Sequence, residues 1–280
     1  MDTLRSDHFP ATAPVRNSPA GAEEGLLTAL LWSPVNFVQA VSLAIVCGTV
    51  IPVALAAQRY SGNSKPALWM ARNIWAPMII AGGLSRLSVT GQENVSPGRQ
   101  ALVVSNHQSY ADVPILYRAL PVPLRFTAKK ELDRLPLIGR FMRSLGMVFI
   151  DRSNPQRAAR AVRELKTALR RGEWTVVFPE GTRSIDGVVG QFATGSLAAA
   201  IAENVDILPV AIAGSGRMLS KGGFRVRPSK IQVRIGNPIS TCGLKQSDRF
   251  ELAAKARDAV ERLLDGAVEN SAASSVGSVG

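Results

Sequence analysis

The longest apolar stretch of the chain lies near its N-terminus. No charged residue occurs from Gly25 to Gln58, and Phe37–Ala57 within it is a 21-residue apolar segment, about the length that spans the hydrocarbon core of a bilayer. It has no polar face, which an amphipathic surface helix would have. It begins too late, and follows too acidic a stretch, to be a cleavable signal peptide. We therefore predict a transmembrane helix, with a buried core helix as the alternative.

A second apolar segment, Ala67–Leu84, contains Arg72 and two tryptophans, Trp69 and Trp75. Because indole rings favour the boundary between lipid and water, we predict a re-entrant or surface-lying helix. Basic residues follow the first segment, whereas acidic residues precede it. By the positive-inside rule, this bias places the C-terminal side on the cytoplasmic face of a cell inner membrane or plasma membrane.

Beyond Ser88, short β-branched runs alternate with longer helical stretches. The runs that predict strands are Leu102–Val104, Met147–Ile150, Thr175–Phe178, Ile207–Ile212 and Ile231–Ile235. This alternation is typical of an α/β fold, so we predict a central, mostly parallel or mixed sheet flanked by helices, with an N-terminal membrane-associated helical segment. The predicted organisation is a disordered lead at 1–24, membrane-associated helices at 25–86, an α/β domain at 87–265 and a disordered tail at 266–280.

One predicted helix, Pro155–Arg171, carries an uneven charge pattern. Its apolar stripe consists of Ala158, Val162, Leu165 and Leu169. Six basic side chains lie around the rest of the helix, against the single acidic residue Glu164. This bias favours a surface that faces anionic lipid headgroups, and the alternative is an ordinary solvated helix face.

The net positive charge of the protein is concentrated in the middle of the chain. The whole chain has a net charge of +12, and residues 37–243 carry 26 basic and 11 acidic side chains, or +15. An anionic partner is therefore expected. Two cysteines without a CxxC pair and two histidines exclude a disulfide framework and a His-rich metal site. No helix-turn-helix, zinc-finger or RNA-binding motif is present, so we predict no nucleic-acid partner.

A candidate base follows the strand that contains Leu102–Val104. His107 comes directly after this strand, where open α/β sheets bind ligands, and Asp112 follows five residues later. A turn between them can bring the carboxylate to the imidazole. The carboxylate would then hold one ring nitrogen and leave the other free to take a proton from an alcohol. A structural histidine is the alternative.

Three further blocks follow strands. Phe178–Ser184 (FPEGTRS) contains Arg183, whose planar guanidinium suits a phosphate; an ordinary turn with a surface Arg–Glu pair is the alternative. Gly146–Arg152 (GMVFIDR) ends in a charged pair, and Ile207–Ile212 contains a proline within an apolar strand.

In this order and spacing, the four blocks resemble the glycerolipid acyltransferase family, the 1-acylglycerol-3-phosphate O-acyltransferases, which acylate lysophosphatidate. The resemblance runs from Val89 to Pro238, about 150 of the 280 residues. The N-H-(four residues)-D block and the F-P-E-G-T-R-S block match fully. One departure is Ala193, where the family commonly has lysine.

The resemblance makes 87–265 an acyltransferase catalytic domain. It implies a lysophospholipid acceptor and an acyl thioester co-substrate, on coenzyme A or acyl carrier protein, with no cofactor and no metal. The implied residues are His107 and Asp112 for catalysis, and Glu180, Gly181, Thr182, Arg183, Arg152 and Lys129 for substrate binding. The expected product is phosphatidate in phospholipid biosynthesis, made at an anionic membrane surface.

Two alternatives stay open. The acceptor could be another lysolipid, either a headgroup-bearing lysophospholipid or an aminolipid, because the blocks match the shared phosphate or hydroxyl. A lipid ester hydrolase is a different class, in which His107 would activate water. No Gly-x-Ser-x-Gly nucleophile motif occurs.

Overall fold

A mixed seven-stranded sheet forms the centre of the molecule. The computed structural model describes residues 26–276 except Pro97, residues 152–154, Gly222 and Phe224. The strands are β1 (Arg86–Thr90), β2 (Leu102–Ser105), β3 (Leu124–Lys129), β4 (Val148–Ile150), β5 (Trp174–Val177), β6 (Ile207–Ala213) and β7 (Lys230–Ile235). Their order is β1-β7-β6-β2-β5-β3-β4, and only the β6–β7 pair is antiparallel among the described strands. The predicted α/β fold with a mixed sheet is confirmed.

The five predicted strands form, each within one or two residues of its expected bounds. Two further strands were not predicted. β1 lies at the sheet edge, and its side chains alternate between exposed and half-buried. β3 ends in polar and basic residues, so neither strand has the continuous β-branched run typical of a buried parallel strand.

Helices cover both faces of the sheet. They are α1 (Leu26–Ser61), α2 (Lys65–Met70), α3 (Ala76–Gly82), α4 (Asp112–Ala119), α5 (Pro136–Ser144), α6 (Pro155–Arg170), α7 (Gly195–Glu203), α8 (Ser215–Met218) and α9 (Arg249–Val276). One apolar core joins residues of α1–α4 to the sheet, and a second core joins α6, α7 and α9 to it from the other side. We call the α1–α4 side the membrane face.

The membrane face is built from the two apolar segments. α2 continues through a π-helical turn, Ala71–Trp75, into α3, so the second segment is one helical rod. α1 packs against this rod and against α5. Among its described side chains, Val46, Val50, Ile51 and Ala54 are buried.

Two hydrogen bonds at widely separated positions join α1 to the rest of the molecule. The side chain of Asn36 accepts from the backbone N–H of Val226 (2.7 Å), and that of Gln58 donates to the carbonyl of Ser144 (2.6 Å). These two α1 residues lie 22 positions apart, or about 33 Å along a helix. α1 therefore runs along the domain instead of projecting from it.

The outer side of α1 is apolar and exposed, as Phe37 (70%) and Ile45 (59%) illustrate. Residues Trp32–Ser61 have a mean hydropathy of 2.3 in their most apolar window and could cross a membrane by length and composition. The segment predicted as Phe37–Ala57 thus forms a membrane-associated helix that is longer than expected.

α6 and α9 differ in part from expectation. α6 buries Leu165 and Leu169 as predicted, but it packs on the sheet face away from α1. α9 extends to Val276, so residues 266–276 are helical where the composition predicted no regular structure. Extending an existing helix avoids the cost of nucleation. Residues 1–24 and 277–280 lie outside the described residues.

Candidate active site

The predicted base and its partner meet at the end of β2. His107 Nδ1 lies 2.7 Å from Asp112 Oδ2. The His107 side chain is 17% exposed, whereas that of Asp112 is fully buried. Because a carboxylate accepts hydrogen bonds, this geometry places a proton on Nδ1, and in the neutral ring Nε2 is then the nitrogen that can accept one.

The same carboxylate oxygen also organises the turn between the two residues. Asp112 Oδ2 accepts from the backbone N–H groups of Gln108 (2.8 Å) and Ser109 (2.9 Å) in addition to the ring. Its second oxygen, Oδ1, is buried and has no hydrogen-bond partner among the described residues. Asp112 is therefore held by one oxygen, at the first residue of α4, where the helix dipole favours a negative charge.

The His107 ring is also held from the side. It stacks on Phe178, with ring centroids 4.1 Å apart and an interplanar angle of 16°. Phe178 was matched as part of the FPEGTRS block, but no role was predicted for it, since a stacking partner 71 positions away gives no local signal in the sequence. The stack and the Asp112 hydrogen bond together fix the ring plane.

Glu180 joins the two main blocks. Its Oε1 accepts the backbone N–H of His107 (2.8 Å), and its Oε2 accepts that of Gly190 (2.9 Å). The backbone N–H of Ser184 donates a hydrogen bond to the carbonyl of His107 (2.8 Å). Burial raises the pKa of the Glu180 carboxyl, and these backbone donors oppose the rise. Glu180 was predicted to bind substrate, but both of its carboxylate oxygens accept hydrogen bonds from the backbone near His107.

Arg183 lies beside this backbone link. Its guanidinium carbon is 3.8 Å from the ring centroid of Tyr110, a cation–π stack. Gly181, with φ +79°, makes the turn that leads to Arg183, a conformation open to glycine and rare for other residues. Because a guanidinium stacked by its face keeps its N–H edge free, Arg183 can still bind a phosphate.

A second cation, Lys221, was not predicted individually. Its ammonium donates to the carbonyl of Arg183 (2.6 Å) and approaches the Thr182 hydroxyl at 3.2 Å. It comes from the loop after α8, so only the tertiary structure places it here. Lys221 therefore contacts the side chain of Thr182 and the main chain of Arg183.

The remaining predicted residues lie further from the base. Lys129 is at the end of β3, on the same sheet edge, where it is 74% exposed and pairs with Glu131 at 3.2 Å. Arg152 lies outside the described residues. Ala193, which replaces the common family lysine, donates its backbone N–H to the Pro179 carbonyl (2.9 Å) and so supports the FPEGTRS turn through its main chain.

Comparison with known proteins gives a consistent result. The family model named Acyltransferase matches residues 86–213. The chain is 36% identical over 180 residues to a probable 1-acyl-sn-glycerol-3-phosphate acyltransferase of Mycoplasma pneumoniae, covering 60% of this chain and 67% of that protein. It is 34% identical to the 1-acyl-sn-glycerol-3-phosphate acyltransferase of Saccharomyces cerevisiae, over 70% of this chain and 66% of that one.

A solved structure is also similar. The crystal structure of the 1-acyl-sn-glycerophosphate (LPA) acyltransferase PlsC from Thermotoga maritima superposes with a TM-score of 0.67 at 29% identity. The match covers 83% of this chain and 95% of that chain, so the similarity includes more than the segment matched by the family model.

Proposed function

The chain belongs to the acyltransferase family, and from this premise we propose that it transfers a fatty acyl group from an acyl thioester to the free hydroxyl of 1-acyl-sn-glycerol 3-phosphate, giving phosphatidate. The observation that carries the proposal is the His107–Asp112 pair, 2.7 Å apart at a strand end beside the cation of Arg183. The names of the relatives supply the acceptor.

The proposed reaction needs one base and no covalent enzyme intermediate. His107 Nε2 takes the proton of the lysolipid hydroxyl while its oxygen attacks the thioester carbonyl carbon. The carbon–sulfur bond then breaks, and the leaving thiolate takes the proton back from the imidazolium. The buried charge of Asp112 stabilises the imidazolium between these steps. General-base catalysis of this kind contributes about 10²–10⁴-fold.

We assign Glu180 a positioning role instead of phosphate binding. Both of its oxygens accept backbone N–H groups, and a carboxylate repels a phosphate. Its contact with the His107 backbone couples the base to the FPEGTRS turn.

The acceptor phosphate would bind to Arg183, with Lys221 and Thr182 beside it. Arg183 offers a bidentate N–H edge, while Lys221 adds a point charge. Tyr110 limits the directions that the Arg183 guanidinium can take, because it covers one face of it. Lys129 and Arg152 remain further candidates for anionic groups of either substrate.

We also propose that α1 lies in the plane of one membrane leaflet. A helix that crossed the bilayer would place Asn36 and Gln58 on opposite sides of a hydrocarbon core about 30 Å thick, yet both residues bond to the same domain. The exposed apolar side of α1 would contact lipid tails. The positive-inside rule applies to helices that span the membrane, so it does not orient a helix that lies in the membrane plane. The proposed cytoplasmic orientation depends instead on the acyl thioester, which is a cytoplasmic co-substrate.

The basic side of α6 is a poorer membrane contact in this arrangement. Of its cations, Arg160 pairs with Glu164 (2.9 Å) and Arg170 with Glu203 (2.8 Å). Since α6 and α1 cover opposite sheet faces, one flat membrane cannot meet both. We therefore favour the solvated-surface interpretation of α6.

An acceptor panel tests the proposed function. The full-length protein in lipid nanodiscs receives an acyl thioester on coenzyme A or on acyl carrier protein, with each of several lysolipids, and products are separated by chromatography. We expect phosphatidate from lysophosphatidate, and none from His107→Ala. Acylation of headgroup-bearing lysolipids alone would overturn the acceptor, and release of free fatty acid without an acceptor would indicate a hydrolase.

A further inference from the structure

A short loop connects the turn that carries the base to helix α1. Residues 219–226, which we call the 219–226 loop, follow α8 and are closed by an antiparallel bridge between Leu219 and Val226. Next to this bridge, the backbone N–H of Arg227 donates to the carbonyl of Met218 (2.9 Å). The two ends of the loop are therefore held together, and a contact made at either end restrains both.

The turn between His107 and Asp112 holds the first end of the loop. Ser109 in this turn is fully buried, and its hydroxyl donates to the carbonyl of Leu219 (2.7 Å). The same hydroxyl oxygen accepts the backbone N–H of Ala111 (3.1 Å), and the backbone N–H of Ser109 donates to Asp112 (2.9 Å). Ser109 thus contacts Asp112 through its main chain and the 219–226 loop through its side chain.

Helix α1 holds the second end of the loop. The side-chain oxygen of Asn36 accepts the backbone N–H of Val226 (2.7 Å), and its NH₂ group donates to the carbonyl of Trp32 (2.9 Å). Because both polar groups of the amide have a partner, the orientation of Asn36 is fixed. The loop is therefore bonded at one end to the catalytic turn and at the other to α1.

Lys221 lies within this loop, between the two contacts. Its ammonium donates to the carbonyl of Arg183 (2.6 Å) and to the hydroxyl of Thr182 (3.2 Å). Because an ammonium has three N–H groups, one of them remains for a further acceptor. Lys221 also has no acidic partner among the described residues. Its charge is therefore available to an anion beside the FPEGTRS turn.

We infer that Ser109 and Asn36 are positioning residues for the acceptor phosphate, and that they act by holding the 219–226 loop so that Lys221 lies beside Arg183. The inference rests on the proposed function, because it takes the phosphate of lysophosphatidate as the anion that Lys221 meets. Holding the loop strengthens binding because a lysine that is already positioned loses less conformational entropy when the phosphate arrives.

A double-mutant cycle on binding tests the inference. Isothermal titration of the full-length protein in mild detergent measures the affinity for a short-chain lysophosphatidate, and the monoacylglycerol with the same chain serves as the phosphate-free comparison. Lys221→Gln should weaken lysophosphatidate binding about tenfold, because a hydrogen bond to a charged group is worth more than a neutral one. Ser109→Ala should weaken it about fivefold, the net contribution of one hydrogen bond.

The double variant decides whether Ser109 acts through Lys221. If it does, Ser109→Ala with Lys221→Gln should bind lysophosphatidate about tenfold more weakly than the wild type, no worse than Lys221→Gln alone. Independent effects would multiply to about fiftyfold and would overturn the inference. Monoacylglycerol binding should be the same in all these variants, because it has no phosphate for Lys221 to meet.

Thr241→Val is the matched control for the loss of a buried hydroxyl. Thr241 is buried and donates to the carbonyl of Val205 (3.1 Å), which precedes β6 at the end of that strand away from His107. Thermal unfolding should show a loss of stability in both Thr241→Val and Ser109→Ala, but only Ser109→Ala should lose affinity for lysophosphatidate. Equal losses of affinity would attribute the effect to general loosening of the fold and overturn the inference.

Asn36→Ala tests the other end of the loop without altering the catalytic turn. It should weaken lysophosphatidate binding about threefold, and this effect should disappear when Lys221→Gln is also present. If Lys221→Gln weakens binding but Ser109→Ala and Asn36→Ala do not, the proposed acceptor stands and the inference is wrong. If the wild type binds lysophosphatidate no better than monoacylglycerol, the proposed acceptor is wrong, and the inference fails with it.

Discussion

Replacing Asp112 by asparagine separates the charge of this residue from its geometry. Asp112 Oδ2 accepts three hydrogen bonds, from the His107 ring and from two backbone N–H groups. Because all three partners are donors, the asparagine oxygen should take the Oδ2 position. Its NH₂ group then falls where Oδ1 now lies without a partner. His107 keeps its tautomer and orientation, and only the negative charge is lost.

The size of the effect follows from this charge. Two unit charges about 4 Å apart interact by about 4 kcal/mol at an effective dielectric constant of about 20. A proton half transferred in the transition state loses about half of this, or about 2 kcal/mol, which is about thirtyfold in kcat. His107→Ala removes the base itself and should cost about 10²–10⁴-fold.

The assay follows free thiol released from the acyl thioester, with a short-chain lysophosphatidate above half-saturation. Thermal unfolding of each variant checks that the fold persists. Asp112→Ala is the matched comparison, because it leaves the three donors unpaired and should lose both activity and stability. Full activity of Asp112→Asn would refute the pairing, and activity as low as that of His107→Ala would refute the claim that orientation survives.

Other substitutions test the remaining assignments. Arg183→Lys should raise KM for the phosphorylated acceptor about tenfold and leave KM for the thioester nearly unchanged, because an ammonium lacks the bidentate edge; equal losses for both substrates would contradict acceptor binding. Glu180→Gln places an NH₂ group against a backbone N–H and should lower kcat more than tenfold. Because burial raises the pKa of the Glu180 carboxyl above its ordinary value of 4.5, the folded state binds this proton more tightly, and the free energy of unfolding falls as pH rises through the raised pKa. Urea titrations across that range should show this slope in the wild type and lose it in Glu180→Gln. Phe37→Glu with Ile45→Glu should release the protein from vesicles in flotation, whereas Phe250→Glu on α9 should not; continued flotation of the α1 double variant would contradict the in-plane helix.

Local sequence relations predicted the contact between His107 and Asp112. His107 and Asp112 lie five residues apart, so one turn of chain decides whether they meet. Five strands were also predicted, and three of them, β2, β5 and β6, are continuous buried apolar runs.

Relations across long sequence separations were not predictable in the same way. Glu180 was expected to hold phosphate, but its partner is the backbone of His107, 73 positions earlier. Lys221 reaches the Arg183 carbonyl from a loop 38 positions later. The sequence shows which residues are charged but not which atoms their side chains contact. The segments that make these contacts are brought together by the order of the strands in the sheet, which depends on the whole fold.

The link from Glu180 to the backbone of His107 and Gly190 also has a consequence for synthesis on the ribosome. His107 leaves the ribosome 83 residues before Gly190, or roughly 4–17 s earlier at about 5–20 residues per second. α1 and the α2–α3 rod emerge earlier still. The nascent chain can therefore reach a lipid surface before Phe178 and Glu180, which hold His107, have been synthesised. Under the proposed function, membrane contact would therefore precede completion of the site, and acyl transfer by the growing chain would require that β5 and the turn after it have been made.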